Sequence, residues 1–128
     1  PVETAVDVRR EPDAAAWVGR RIATANEGDL VGGSRGFSIF NPDGSVFFDS
    51  GTWLDRLAVR FGHYPERRSD AKGTEPEAIA FAKYGPNDVL FVGAERGSFV
   101  AVFQLDRTGR PAFSQILPAP LGPEGLLA

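Results

Sequence analysis

Three of the proline–acid pairs in this 128-residue chain share one plan, and their spacing is the first sign of chemistry. The pairs are Pro12-Asp13, Pro76-Glu77 and Pro123-Glu124, each followed by small and apolar residues. The prolines are about 64 and about 47 residues apart, and periods of about 40 to 50 residues are typical of arrays such as β-propellers. The motif therefore predicts one acid at the same place in each repeat.

Short apolar runs separated by turn residues predict an all-β chain. The runs are residues 21–25, 37–40 and 46–48, then 78–84, 89–92, 99–103 and 112–117, with a weaker run near Ala5, Val6 and Val8 that would close a preceding unit. Four strands joined by tight turns form one propeller blade. We therefore predict a β-propeller-type fragment of about two four-stranded antiparallel blades, residues 1–50 and 74–118, with residues 119–128 starting a third.

The two repeats can be aligned in sequence as well as in their order of strands and turns. Glu27 then matches Glu95, residues 37–40 match residues 100–103, and Asp43-Gly44 matches Thr108-Gly109. Agreement at several places along the length favours a true repeat over chance similarity of one short motif.

Residues 51–73 form an insertion that lengthens the first repeat. Apolar side chains recur there at helical spacing, which predicts a short amphipathic helix. Its apolar face consists of Trp53, Leu54, Leu57, Ala58 and Phe61. Thr52 is a candidate cap, Gly62 and Pro65 end the helix, and we expect it to cover the outside of the sheets.

Strand pairing gives the acids a shared location. In an antiparallel hairpin the start of one strand lies beside the end of the next, so Glu77 should approach Glu95. Asp13 should likewise approach Glu27 and Asp29. Because the first strands of propeller blades line a central channel, successive units would place these acids around one mouth of that channel.

Clustered carboxylates repel one another unless a cation, an arginine or lysine, or a shared proton lies between them. We predict calcium, held by Glu27, Asp29, Glu77 and Glu95, because hard cations prefer oxygen ligands. Lys72 and Arg96 are the predicted catalytic cations, which would neutralise charge on a substrate. The competing interpretation is that these acids are solvated or structural.

Composition excludes several other functions. A net charge of −3 with interspersed signs gives no basic stripe, so we expect no nucleic-acid partner. No apolar run approaches the roughly 20 residues that cross a bilayer, and the absence of cysteine excludes disulfides and thiol chemistry. His63 is the only histidine, and no Ser/His/Asp arrangement can be built around it.

Several motifs, in combination and in order, resemble the choice-of-anchor I domain family. They are Ala25-Asn26-Glu27-Gly28-Asp29, Phe37-Ser38-Ile39, Asp49-Ser50-Gly51, Arg68-Ser69-Asp70, Lys72-Gly73, Glu75-Pro76-Glu77 and Gly93-Ala94-Glu95-Arg96. The resemblance implies a secreted or periplasmic bacterial β-propeller, alkaline phosphatase-like and related to phytase-like esterases. Ala71 departs from the family pattern, which commonly has an acid there.

Two functions follow. The first is an extracytoplasmic, calcium-assisted hydrolase of phosphate or other esters, as the resemblance implies. The alternative is a noncatalytic propeller module that binds a protein, glycan or cell-surface component. Because two blades leave unpaired strand edges, we expect the remainder of the propeller, or a second copy, as a partner.

Overall fold

The structure, a computed structural model, describes residues 9–28 and 34–128, so Asp29 and the weak run near Val6 lie outside the described residues. Two four-stranded antiparallel sheets account for most of it, with strand orders β1-β2-β3-β4 and β5-β6-β7-β8. The first sheet contains β1 (Pro12–Val18), β2 (Arg21–Asn26), β3 (Phe37–Phe40) and β4 (Val46–Asp49), and the second contains β5 (Pro76–Tyr84), β6 (Asn87–Ala94), β7 (Phe99–Leu105) and β8 (Pro111–Pro118). The prediction of an all-β, propeller-type fragment is confirmed. The strand β1, however, was not among the predicted runs, because its alanines carry little β-propensity.

The two sheets share one register. Ala25 pairs with Phe37 in the first sheet, and Gly93 pairs with Val100 at the matching place in the second. Both sheets also contain an irregularity between their third and fourth strands, at Phe40 and at Phe103. A bulge repeated at the same place is a designed feature of a fold, so the sheets are copies of one unit.

Each innermost strand begins in the same unusual way. Glu11 and Glu75 adopt positive φ angles of 47° and 50°, a conformation that is uncommon outside glycine. A proline follows, and the register then shifts across Asp13 and Glu77. These shifts leave one acid unpaired at the start of each sheet. Gly122, with a φ of 67°, precedes Pro123 in the third copy of the motif.

The core lies between the sheets. Alanines on one face of the first sheet, among them Ala23 and Ala25, meet large side chains of the second sheet. Phe37 and Phe103 are fully buried there, with ring centroids 4.8 Å apart. On the second sheet, Val100 and Val102 are buried, whereas Phe81 and Phe91 are only half-buried.

The insertion forms α1 (Trp53–Phe61), followed by a short 3-10 helix (Glu66–Arg68). The predicted helix is confirmed, and Gly62 ends it with a left-handed φ of 74°. Thr52 occupies the N-cap position as predicted, although its side chain makes no cap hydrogen bond. Leu54 and Leu57 are buried within the main core, whereas Phe61 is 44% exposed. The helix therefore belongs to the core and does not merely cover the sheets.

Candidate functional site

A buried carboxylate lies where the insertion meets the second sheet. The Glu75 side chain is 2% exposed, and its two oxygens accept from different arginines, Oε1 from Arg68 and Oε2 from Arg96 Nε at 3.0 Å. Burial alone would raise the pKa of the Glu75 carboxyl, but the two guanidinium groups outweigh it and the pKa is lowered. Glu75 therefore stays ionised and joins the 3-10 helix to the β6–β7 turn.

Lys72 and Arg96, the predicted catalytic cations, are both held in ion pairs. Lys72 Nζ contacts Glu27 Oε1 at 2.6 Å, which links the insertion to the first sheet. This hydrogen bond raises the pKa of Lys72. Arg96 Nη2 lies 3.4 Å from Glu95 Oε1 in addition to its contact with Glu75. The structure thus places Lys72 and Arg96 beside the acidic side chains. Both cations are already bound there by carboxylates of the protein.

Glu77 and Glu95 come together as the strand pairing predicted. Burial, followed by the neighbouring Glu95 and then by Asp13 and Glu27, raises the pKa of Glu77 to about 7. The Oε2 atom of Glu77 is buried and has no donor among the described residues. Because two neighbouring carboxylates repel each other when both are ionised, one proton shared by the pair explains the raised pKa and the unpartnered oxygen.

Of the other predicted calcium ligands, Glu27 lies close enough to this pair to raise the pKa of Glu77, and Asp29 lies outside the described residues. Glu27 is engaged by Lys72, and Glu95 lies near Arg96. Within residues 9–28 and 34–128, no group of three or more acidic or histidine side chains has the proximity that a metal ion needs. The arrangement favours lysine, arginine and a shared proton as the neutralising groups, and calcium stays a prediction.

His63 is structural in this arrangement. Its Nδ1 lies 3.0 Å from the carbonyl oxygen of Gly97, and its ring meets Phe99 edge-on. The ring therefore packs against the β6–β7 turn. Asp55, which sequence reasoning missed, accepts a hydrogen bond from Thr74 Oγ1 at 3.0 Å and thereby fixes the residue next to Glu75.

A cleft of about 550 Å³ opens between the two sheets at the ends opposite to the acids. The β1–β2 and β3–β4 turns of the first sheet form one wall. Residues of β5, β6 and the β7–β8 turn form the other. Sequence reasoning missed this cleft, since the residues of its walls are far apart in the chain and become neighbours only when the sheets stack.

Arg21 is the most firmly held cation in the cleft. Its guanidinium stacks on Phe47, with Cζ 3.5 Å from the ring centroid. Nε donates to Asn41 Oδ1 at 3.0 Å, and Nη1 donates to the Thr108 carbonyl oxygen at 2.8 Å. A Cβ at Gly109 would lie 2.7 Å from Nη1, so only glycine leaves room for this arrangement. The arginine is held in one orientation by both sheets.

The charge in the cleft is predominantly positive. The lining residues with charge are Arg20, Arg21, Lys83, Asp88, Asp106 and Arg107. Asp88 binds Lys83 at 3.0 Å. Asp106 accepts from Thr108 and from the backbone of Arg110, which lowers its pKa. Both acids thus serve internal contacts, while three arginines remain around the cleft.

The family model of the choice-of-anchor I domain matches residues 30–108 of the chain. The chain belongs to the choice-of-anchor I domain family. The matched segment covers more than half of the chain and includes β3 and β4 of the first sheet, the insertion, β5 to β7 of the second sheet, and the pair Glu77 and Glu95. No curated protein and no solved structure matches the chain.

Membership of this family indicates a cellular location. Choice-of-anchor domains are typically extracellular or associated with the cell surface. Among the helices described in the structure, none is long and apolar enough to cross a membrane.

Proposed function

We propose that this chain is part of a noncatalytic, secreted or periplasmic propeller module that binds an acidic group of a cell-surface glycan. The observation that carries the proposal is Arg21, held by Phe47 and two hydrogen bonds in a cleft between the sheets. An arginine fixed before binding loses little conformational freedom when an anion arrives. Its planar fork suits the paired oxygens of carboxylate, sulfate or phosphate.

The neighbouring arginines supply the rest of the site. Arg20 and Arg107 line the cleft from opposite sheets and are exposed. Their positions let an anion bridge the two sheets, so binding would also stabilise the stacking of the blades. A volume of about 550 Å³ falls within the range of small-molecule sites, about 300 to 1,000 Å³.

Titration with glucuronate and with inorganic sulfate, followed by calorimetry and NMR, tests the proposal. We expect binding that weakens with added salt, because surface charge interactions are screened, and that falls severalfold in Arg107→Ala and Arg20→Ala. Arg56→Ala, an exposed arginine of α1 outside the cleft, is the matched control. Binding that is absent, or that Arg56→Ala weakens equally, would refute the proposed glycan site.

The second candidate is the predicted hydrolysis of phosphate or other esters. Glu77 favours it, because a carboxyl with a pKa of about 7 suits proton transfer at neutral pH. In this candidate Arg96 and Lys72 face the substrate, and calcium, held by Glu27, Asp29, Glu77 and Glu95, polarises the ester. Calcium would have to displace the shared proton and the Lys72 contact.

Turnover of p-nitrophenyl phosphate, measured with calcium and with a chelator, tests this candidate. We expect calcium-dependent turnover that Glu95→Gln abolishes and that Glu66→Gln, on the exposed 3-10 helix, leaves unchanged. Turnover below that of a heat-denatured sample, or calorimetry without a calcium signal, would count against it.

A further inference from the structure

A further arginine lies next to the cleft that holds Arg21. Arg110 belongs to the β7–β8 turn, is exposed, and lies outside the set of residues that line the cleft. Its Cζ is 5.9 Å from the ring centroid of Phe47, the ring on which Arg21 stacks at 3.5 Å. The two guanidinium groups come from different sheets and share one aromatic ring.

Aromatic contact positions Arg110 much as it positions Arg21. The Cζ atom of Arg110 also lies 5.6 Å from the ring centroid of Phe48, and its backbone N–H donates to Asp106 Oδ1 at 3.0 Å. A guanidinium that packs over a ring keeps its N–H groups at the edge of its own plane, where they can donate to an anion. Arg110 therefore places a second set of donors beside those of Arg21.

The arginines at this end of the sheets lack acidic partners. The chain has a net charge of −3, yet none of these arginines makes an ion pair within residues 9–28 and 34–128. Acids of the neighbouring turns serve their own turns, since Asp106 accepts from Thr108 and Asp43 accepts from Ser45. We call the following four residues the arginine cluster: Arg20, Arg21, Arg107 and Arg110.

A single acidic group is too small to neutralise the arginine cluster. One carboxylate accepts the paired donors of one guanidinium, so a sugar with one acid would leave most of the cluster without an anion. A chain of acidic sugars carries an acid on successive residues and can contact Arg21 in the cleft and Arg110 outside it at the same time. Each further acid then binds in an intramolecular step, at a high effective concentration.

We propose that the ligand is a polymer of acidic sugars that runs from the cleft across Phe47 to Arg110, where a second acid binds. This polymer is a longer form of the acidic glycan of the proposed function, on which the inference rests. The inference adds the length and charge of the ligand and a binding residue outside the cleft. Because salt screens exposed charges, binding of the polymer should fall more steeply with added salt than binding of one sugar.

Calorimetry with galacturonate, digalacturonate and trigalacturonate tests the length of the ligand. We expect trigalacturonate to bind at least about tenfold more tightly than galacturonate. Its methyl ester, which has the same rings without the charges, should bind no better than galacturonate. Equal affinities for the three acids would overturn the polymer and leave the cleft as a site for a single acid, whereas the absence of binding by any uronate would refute the proposed function as well.

Arg110→Ala tests the second binding position. The substitution should remove most of the preference for trigalacturonate and leave the affinity for galacturonate nearly unchanged, because one sugar binds within the cleft. Arg60→Ala is the matched control, since Arg60 is also exposed and its Cζ lies 5.3 Å over the ring of Phe61, on α1 outside the arginine cluster. An Arg110→Ala chain that keeps the full preference, or equal losses in the two variants, would overturn the proposal.

A short oligothymidylate with the same number of negative charges separates acidic sugars from other polyanions. We expect it to bind more weakly than trigalacturonate. Tighter binding of the oligothymidylate would overturn the assignment of the arginine cluster to acidic sugars.

Discussion

Glu77 lies at the start of β5 and Glu95 just beyond β6, close enough for the Glu95 carboxylate to raise the pKa of Glu77. The register shift at the start of β5 sends Glu77 out of the strand ladder toward Glu95. One relationship thus links a backbone irregularity to an acid that titrates near neutrality.

Stability should fall as pH rises through this titration. The pKa of Glu77 is raised from 4.5 to about 7 in the folded chain, so between these values the folded state holds a proton that the unfolded state has lost. That extra stability is complete below about pH 4.5 and is gone above about pH 7. Glu77→Gln should remove this pH dependence and stabilise the chain by about 1 to 2 kcal/mol at pH 8.

Urea denaturation at several pH values measures this effect. Glu66→Gln, an exposed acid of the 3-10 helix, should keep the wild-type profile. An unchanged slope between about pH 4.5 and pH 7 in Glu77→Gln would contradict the shared proton.

The contribution of Glu75 to stability should change with pH in the direction opposite to that of Glu77. Its pKa is lowered, because Arg68 and Arg96 outweigh its burial, so its contribution is present at neutral pH and is lost as pH falls through the folded pKa. Glu75→Gln should cost about 3 kcal/mol at pH 7, because it leaves two arginines without their buried partner. Chemical denaturation at pH 7 measures the loss, and a cost under about 1 kcal/mol would show that solvent already screens the pairs.

Glycine substitutions separate the backbone strain of Glu75 from its charge. Glu11 and Glu75 share positive φ angles, and glycine adopts this conformation without steric cost. Glu11→Gly should therefore be neutral or stabilising by up to about 1 kcal/mol, whereas Glu75→Gly should still destabilise, since the ion pairs outweigh the strain. If the two substitutions changed the melting temperature equally, the ion pairs of Glu75 would contribute nothing to stability.

Arg21→Lys should destabilise the stacking of the sheets by about 1 kcal/mol, although it keeps the charge. Lysine cannot both stack flat on Phe47 and donate to Asn41 and Thr108 as arginine does. Arg20→Lys, on the exposed neighbour, should be neutral. The urea midpoints of the two variants test this prediction. Equal midpoints would argue that Arg21 is merely a surface charge.

The helix α1 should depend on its buried face alone. Leu57 is 4% exposed, and Leu57→Ala should cost about 2 to 5 kcal/mol through loss of core packing. Phe61→Ala should cost much less, because Phe61 is 44% exposed. Differential scanning calorimetry of the two variants would contradict this if Phe61→Ala lowered the melting temperature as much as Leu57→Ala.

Local patterns were enough to predict the repeat and the approach of Glu77 to Glu95. Turn residues and apolar runs mark strand ends, and antiparallel pairing then fixes which ends meet. The burial of Glu75 was harder to predict, because Arg68 comes from an insertion whose path no pattern specifies. Its neighbour Pro76 marked the strand start, but nothing indicated that the glutamate before it would turn inward.

The cleft around Arg21 was beyond sequence reasoning for a different reason. Arg21 sits in an ordinary β-leaning run, and its partner Thr108 is 87 residues away in the chain. Only the stacking of two finished sheets places them together, so the relevant information is the angle and distance between sheets. Likewise the exposure of Trp17 depends on what stacks against the first sheet.

Within each sheet, every strand pairs with its neighbour in the sequence, and this pairing has a consequence for the folding kinetics. Loops that close over short distances cost little entropy, so each sheet can assemble from local contacts before the two meet. The contact of Lys72 with Glu27 joins the insertion to the first sheet, and the contact of Arg21 with Thr108 joins the two sheets. Both belong to the final docking step. Weakening them should accelerate unfolding and leave the refolding rate nearly unchanged.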